Sequence, residues 1–185
     1  LYFRRPRDND RSSLLARNAT IYAEIRGGHS NSGGQRQGGS MTAPNPKAVV
    51  NCIKGALADA EIRPEQVDAI NGHLTATAMD AQEIKNWSAA LELRGKDFPY
   101  INSLKGMIGH CLAASGSIEC VASVLQLKHD FLFPNVNLQT VHPEILSVAD
   151  ASKIPLQKTD IRLNTLIKAS FGFGDVNCCL IFSKY

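Results

Sequence analysis

The sequence lacks any apolar run near the ~18 residues that a membrane-spanning helix needs, so no membrane span is expected. No apolar signal core stands at its start, and no secretory signal is visible. No Cys-x-x-Cys pair is present, and no metal site is expected. No internal repeat is evident. Charge of one sign is scarce: the net charge is +3 over 185 residues, with a pI near 8.6. That imbalance is too mild to argue nucleic-acid binding. What excess there is crowds the first residues, at Arg4, Arg5, Arg7, Arg11 and Arg17, and reads as a solvated segment or a processing scar. The glycine-rich stretch GGHSNSGGQRQGGS at 27–40 lacks the Lys-Ser/Thr ending and the following helix of a phosphate loop. Its composition predicts a flexible loop, taken to span 27–44.

What remains is ordinary for a globular protein, with 44% hydrophobic and 20% charged residues. The five cysteines, Cys52, Cys111, Cys120, Cys178 and Cys179, are odd in number, scattered and in apolar contexts. They read as buried, reduced thiols in a reducing compartment, taken as the cytoplasm. A strand is expected at Ile21–Ile25. Asn45-Pro46 has the signature of a helix start, and Val49, Val50, Ile53, Leu57 and Ala60 follow at helical spacing. Val67–Asn71 reads as a buried strand, 79–93 as a second helix, and Pro99–Asn102 as a short strand. A third helix over 111–128 opens with small residues, which predicts a central, closely packed position, and Ile118, Val121, Val124, Leu125 and Leu127 are its expected core residues. Two strands, 163–170 and 176–183, end the chain. Alternation of this kind favours a layered α/β fold.

Three segments that follow predicted strands carry chemistry. In Asn71-Gly-His73-Leu-Thr75-Ala-Thr77, a histidine leaves a buried strand beside two threonines. In Ser103-Leu-Lys105-Gly-Met-Ile-Gly109-His110, a lysine precedes a histidine by five residues. A nearby fixed positive charge disfavours the imidazolium, as does a helix N-terminus. A neutral imidazole can then donate to a developing oxyanion. In Ser170-Phe-Gly172-Phe173-Gly174-Asp-Val-Asn177, glycines between aromatics predict a turn that brings backbone N–H groups near a pocket. Singly, each segment is explained as well by structure: a satisfied histidine, a solvated lysine, a hairpin turn.

Together, in order and spacing, NGHLTAT, KGMIGH and GFGDVN resemble the C-terminal halves of β-ketoacyl-carrier-protein synthases. That family reads Asn-x-His-Gly-Thr-x-Thr, Lys-x-x-x-Gly-His and Gly-Phe-Gly-Gly-x-Asn. The resemblance runs from about Ile21 to the end and includes TIYAEI and FPNVNL. It implies the C-terminal half of a thiolase-like fold, a layered α/β sheet with a buried central helix over 20–185, preceded at 1–19 by a remnant of a linker. It also implies a decarboxylative Claisen condensation in fatty acid or polyketide synthesis. His73 and His110 would then bind the malonyl thioester oxygen and Lys105 would support them. Thr75 and Thr77 would hold the pantetheine arm. Phe173, with Gly172 before it, would form the gate and lend a backbone N–H to the oxyanion hole. No cofactor would be bound by the chain, since phosphopantetheine arrives on the acyl carrier protein. The implied partners are that carrier protein and the N-terminal half of the enzyme or a complementary chain, in a homodimer or heterodimer.

Leu74, Asp175, Val176 and Ala169 depart from the family pattern, and put specificity in question more than fold. The family's nucleophilic cysteine lies in the N-terminal half, and none of the five here has its context. Cys111, which follows His110, reads as core. A non-catalytic, chain-length-factor-like subunit shaping a partner's acyl pocket is therefore the alternative, and a basic binding module ranks last.

Overall fold

A computed structural model describes residues 18–36 and 39–185; the expectations for the arginine-rich start lie almost wholly outside them. Among the described residues are seven strands: β1 (Glu24–Ser32), β2 (Ala69–Asn71), β3 (Tyr100–Asn102), β4 (Phe131–Leu132), β5 (Thr159–Asp160), β6 (Thr165–Gly172) and β7 (Val176–Ser183). The helices are α1 (Pro46–Ala60), α2 (Met79–Leu91), α3 (Lys105–Ile108), α4 (Ser115–His129) and α5 (Pro143–Leu146). β4 and β5 form a separate antiparallel pair. The main sheet has the order β1-β7-β6-β2-β3. β1, β7 and β6 run antiparallel, whereas β6, β2 and β3 run parallel.

Helix α1 starts as the sequence dictates. Asn45 accepts hydrogen bonds from Lys47 N and Ala48 N, and Pro46 needs no donor there. α1, α2 and α4 end at Glu61, Glu92 and Asp130, each in the left-handed conformation.

Strand alternation assigns the two faces of the sheet. Ile167, Ala169 and Phe171 of β6, with Cys179 and Ile181 of β7, join Val49, Ile53 and Leu57 of α1 and Ile84, Trp87 and Leu91 of α2 in one apolar core. Leu166 and Phe182, on the alternate parity, pack with Val124 and Leu127 of α4 in a smaller one.

Three expectations are corrected. The flexible loop expected over 27–44 is strand as far as Ser32, because β7 offers a full antiparallel ladder to those residues, whatever their glycine content. The pairing is tertiary, and local composition does not record it. The third helix begins at Ser115, after a 3-10 turn at Leu112–Ala114. Its sheet-facing residues include Glu119, Ala122, Ser123, Val124, Gln126 and Leu127, whereas Ile118 and Val121 lie on the exposed side. Cys111, expected in the core, is only partly buried and precedes the turn.

Candidate functional site

β2, β3 and β6 are parallel neighbours, so their carboxyl ends open on one edge of the sheet, the usual ligand side of an open α/β sheet. His73 follows β2, Lys105 and His110 follow β3, and Phe171 lies near the end of β6. The topology alone gathers three segments far apart in sequence.

The His73 loop is held by Glu83 of α2. Its carboxylate accepts His73 N at 2.8 Å, Leu74 N at 2.9 Å and Trp87 Nε1 at 3.2 Å. Burial pushes the Glu83 carboxyl up, and the Leu74 and His73 N–H groups pull it back. Asp80 does the same one turn earlier, accepting Thr75 N and Ala76 N, each at 3.0 Å. Ser103 closes the loop by donating to Leu74 O at 3.0 Å.

The rings of His73 and His110 meet edge to face, with centroids 5.4 Å apart, and Phe171 stands 6.5 Å from His73 on another side. His110 Nδ1 accepts Leu112 N at 3.0 Å and lies 3.3 Å from Ser115 Oγ. A nitrogen that accepts a backbone N–H carries no proton itself, so the neutral ring has its proton on Nε2, free to donate elsewhere. Reaching that nitrogen puts Leu112 in the left-handed region at φ 48°. For a leucine that geometry costs about 1–2 kcal/mol. His73 Nδ1 is buried and has no hydrogen-bond partner among the described residues. The His73 imidazolium is disfavoured: its pKa is lowered to about 3, first by burial, then by Lys105, Lys168 and His110.

Lys105 is buried, with Nζ 2.5 Å from Glu119 Oε1. Glu119, on α4, is fully buried. A second buried lysine, Lys168 of β6, stands 2.8 Å from Glu119 Oε2. It also donates to Ser170 Oγ at 3.1 Å and to the Ala169 carbonyl. Burial pushes the Lys105 ammonium down, and the hydrogen bond to Glu119 opposes that.

Beside Lys105 and His110 opens a cavity of about 450 Å³, bounded by Leu74, Thr75, Asn137 and Ile145 among others. Gly106 forms part of its wall and has no alternative. A Cβ there would lie 2.9 Å from the Val136 carbonyl oxygen. Asn135, in the FPNVNL segment, shapes the same wall by accepting Ser103 N at 3.0 Å and donating to Ile101 O at 3.0 Å.

The expected residues fall in different places. His73, His110 and Lys105 come together. Thr75 lines the cavity and its hydroxyl lies 3.2 Å from that of Thr77, which also accepts Met79 N at 3.2 Å and so helps start α2. Gly172 ends β6 and Phe173 follows on the β6–β7 turn, where it is 72% exposed. Phe171, Glu83, Glu119 and Lys168 were not singled out from sequence. A lysine inside the apolar strand TLIKAS was the signal available.

Three of the four departures have local explanations. Leu74 keeps an ordinary, not left-handed, φ and lays its side chain over Gly72 at the cavity wall. Asp175 is buried and turned toward the 33–45 segment: its carboxylate accepts Asn45 N at 2.8 Å and Gln35 N at 3.2 Å. Ala169 packs in the larger core. The described cysteines are all free, and burial pushes Cys52 up to about 12 and raises Cys120 and Cys179 as well.

Comparisons with known proteins agree with this fold. The sequence profile of the β-ketoacyl synthase C-terminal domain matches residues 22–139. The chain is 35% identical over 170 residues to 3-oxoacyl-acyl-carrier-protein synthase 1 of Escherichia coli K12, covering 92% of this chain and 39% of that protein. The fold superposes on the ishigamide ketosynthase/chain length factor with a TM-score of 0.83 at 27% identity, covering 94% of this chain and 41% of that one. It also matches the structure of a type II PKS acyl-carrier protein in complex with its ketosynthase bound to the hexaketide, with a TM-score of 0.79 at 30% identity and the same two coverages of 94% and 41%. The chain thus spans about two-fifths of the length of these relatives.

Proposed function

The chain belongs to the β-ketoacyl synthase family, to its C-terminal domain, and from that premise we propose that it supplies the decarboxylating centre of a condensing enzyme. The substrate is a malonyl thioester carried on the phosphopantetheine of an acyl carrier protein. The bond between the carboxylate carbon and the α-carbon breaks, carbon dioxide leaves, and the electron pair delocalises onto the thioester oxygen as an enolate. That oxygen sits between His73 and His110. The α-carbon then attacks an acyl thioester held on a cysteine other than the five here, and the thiolate leaves.

The observation that carries the reading is the histidine pair. His110 has its proton fixed on Nε2 by the bond into Nδ1, and burial with two lysines keeps His73 neutral. Two ring N–H donors at one oxygen stabilise negative charge as it develops. Thr75, at the cavity wall, and Thr77, hydroxyl to hydroxyl with it, are the proposed contacts to the pantetheine arm. Phe173 and Gly172 belong to the gate side. The exposed apolar residues Leu112, Ile118, Val121 and Phe173 offer a face for the remainder of a ketosynthase assembly.

The test is release of carbon dioxide from malonyl-carrier protein by the enzyme containing this chain. His73→Ala and His110→Ala are each expected to lower the rate by at least about 100-fold. A rate unchanged by both would leave the chain a non-catalytic subunit that shapes a partner's acyl pocket.

A further inference from the structure

Glu119 is one carboxylate between two buried ammonium groups, with Lys105 Nζ at 2.5 Å from one oxygen and Lys168 Nζ at 2.8 Å from the other. All three side chains are at least nine-tenths buried. A single buried ion pair would present no net charge to its surroundings. This cluster carries one positive charge more than it neutralises, and Lys168 pairs across the sheet with Asn71, two residues before His73. The two lysines come from unrelated elements. Lys105 opens α3 inside the KGMIGH segment. Lys168 points from the middle of β6 to the α4 side, on the parity opposite Ile167, Ala169 and Phe171.

We propose that Lys168 is a positioning residue of the histidine pair: it shares Glu119 with Lys105, leaves the cluster one positive charge in excess, and so adds to burial in disfavouring the His73 imidazolium. The inference deepens the condensing reading and rests on it for its catalytic consequence. The groups facing His73 are Lys105, Lys168, His110 and the Phe171 ring, while Glu83 takes its backbone N–H. Among the lysines, histidine and Glu119, only Glu119 carries negative charge, and the two ammonium groups divide it. Removing Lys168 turns the remainder into a balanced Lys105–Glu119 pair, and the field against the His73 imidazolium weakens. A purely structural role, bracing β6 against α4 through the contact with Glu119, would alter stability and leave His73 unaffected.

The experiment is a proton NMR titration of the His73 ring in the folded chain. In the wild type, His73 shows no titration between about pH 8 and about pH 5. In Lys168→Met, its proton affinity rises roughly tenfold. Lys168→Arg, which retains the charge, stays within about twofold of the wild type. If Lys168→Met does not fold, Lys168→Gln, which keeps a donor for Ser170, carries the same expectation. A His73 midpoint that does not move in the neutral variants, or that moves equally in Lys168→Arg, overturns the proposal. So does a wild-type His73 that titrates like a free histidine. Carbon dioxide release from malonyl-carrier protein is read in parallel. No release from any form, with the His73 shift present, sinks the condensing reading and leaves the electrostatic one intact.

Discussion

The two faces of the main sheet are built from the same strands and hold different things. On one, α1 and α2 cover a continuous apolar core around Ile53, Trp87 and Ile167. On the other, α4 covers a smaller apolar cluster and then, toward the carboxyl ends of the parallel strands, a buried cluster of one glutamate and two lysines. β6 shows the divide within one strand: Ile167, Ala169 and Phe171 face the first, Leu166 and Lys168 the second. The first face is where hydrophobic transfer stabilises the fold. The second tolerates desolvated charge because Glu119 pairs with both lysines.

Glu119→Gln breaks the second face most directly. It leaves two ammonium groups buried without their counter-charge, which is expected to cost about 4 kcal/mol in a urea unfolding midpoint. Ile53→Ala does the corresponding damage to the first. Ile53 is fully buried in the larger core, and truncation there is expected to cost about 3 kcal/mol by the same measurement. The two variants should separate by activity per folded molecule: Ile53→Ala retains it, Glu119→Gln loses it.

Much of this division was legible in the sequence. The three motif segments, the Asn45–Pro46 helix start and the final strand pair all lie in local spacing or punctuation, and local signals survive without a structure. The β1 extension did not, because its glycines say loop while its ladder partner, β7, lies about 150 residues away. Glu119 and Lys168 failed for a related reason. Each is unusual only once the other is beside it, and a charged residue on a helix or strand reads as solvated until its face is known. Cys111 and Ile118 were misread because the small residues before α4 promised a centre that the described residues cover on one side only.

Acid separates the faces further. His73 has its folded pKa lowered from 6.5 to about 3. Through that window the folded ring binds fewer protons than the unfolded one. Stability therefore rises with pH from about 3 to 6.5 and is lost on acidification through the same range. Between about pH 7 and about pH 5 this contribution amounts to about 1–2 kcal/mol. His73→Gln should flatten that part of the stability curve, and Ile53→Ala should lower the whole curve without changing its slope. Urea midpoints at several pH values read both.

The turn at the end of β6 gives a smaller effect. Asp175 holds Asn45 N and Gln35 N with one carboxylate. Asp175→Asn retains a residue that tolerates the left-handed φ of 63°. It gives up the second acceptor oxygen, and about 1 kcal/mol is expected to go with it. Hydrogen exchange should quicken at Gln35 and Asn45 and stay unchanged in α4. A uniform change across the sheet would mean that the carboxylate braces the whole fold rather than one connection.

Leu112 gives the smallest effect and the sharpest contrast with Ile53. It is 71% exposed, so Leu112→Ala removes almost no buried surface, and stability should stay within about 0.5 kcal/mol of the wild type. Leu112→Gly separates packing from backbone. Glycine relieves the left-handed conformation, worth about 1–2 kcal/mol, but gives back about 0.5–1 kcal/mol through its freer unfolded chain. The two offset each other only in part in the unfolding midpoint, leaving a gain of at most about 1 kcal/mol. No such offset exists at His110, where the Leu112 N–H fixes which ring nitrogen carries the proton. A glycine that loosens this turn should let the His110 ring sample both tautomers, visible in its nitrogen chemical shifts, with no more than that gain in melting. If instead His110 keeps one tautomer in the glycine variant, then the strained leucine is incidental, and Ser115 alone holds the ring.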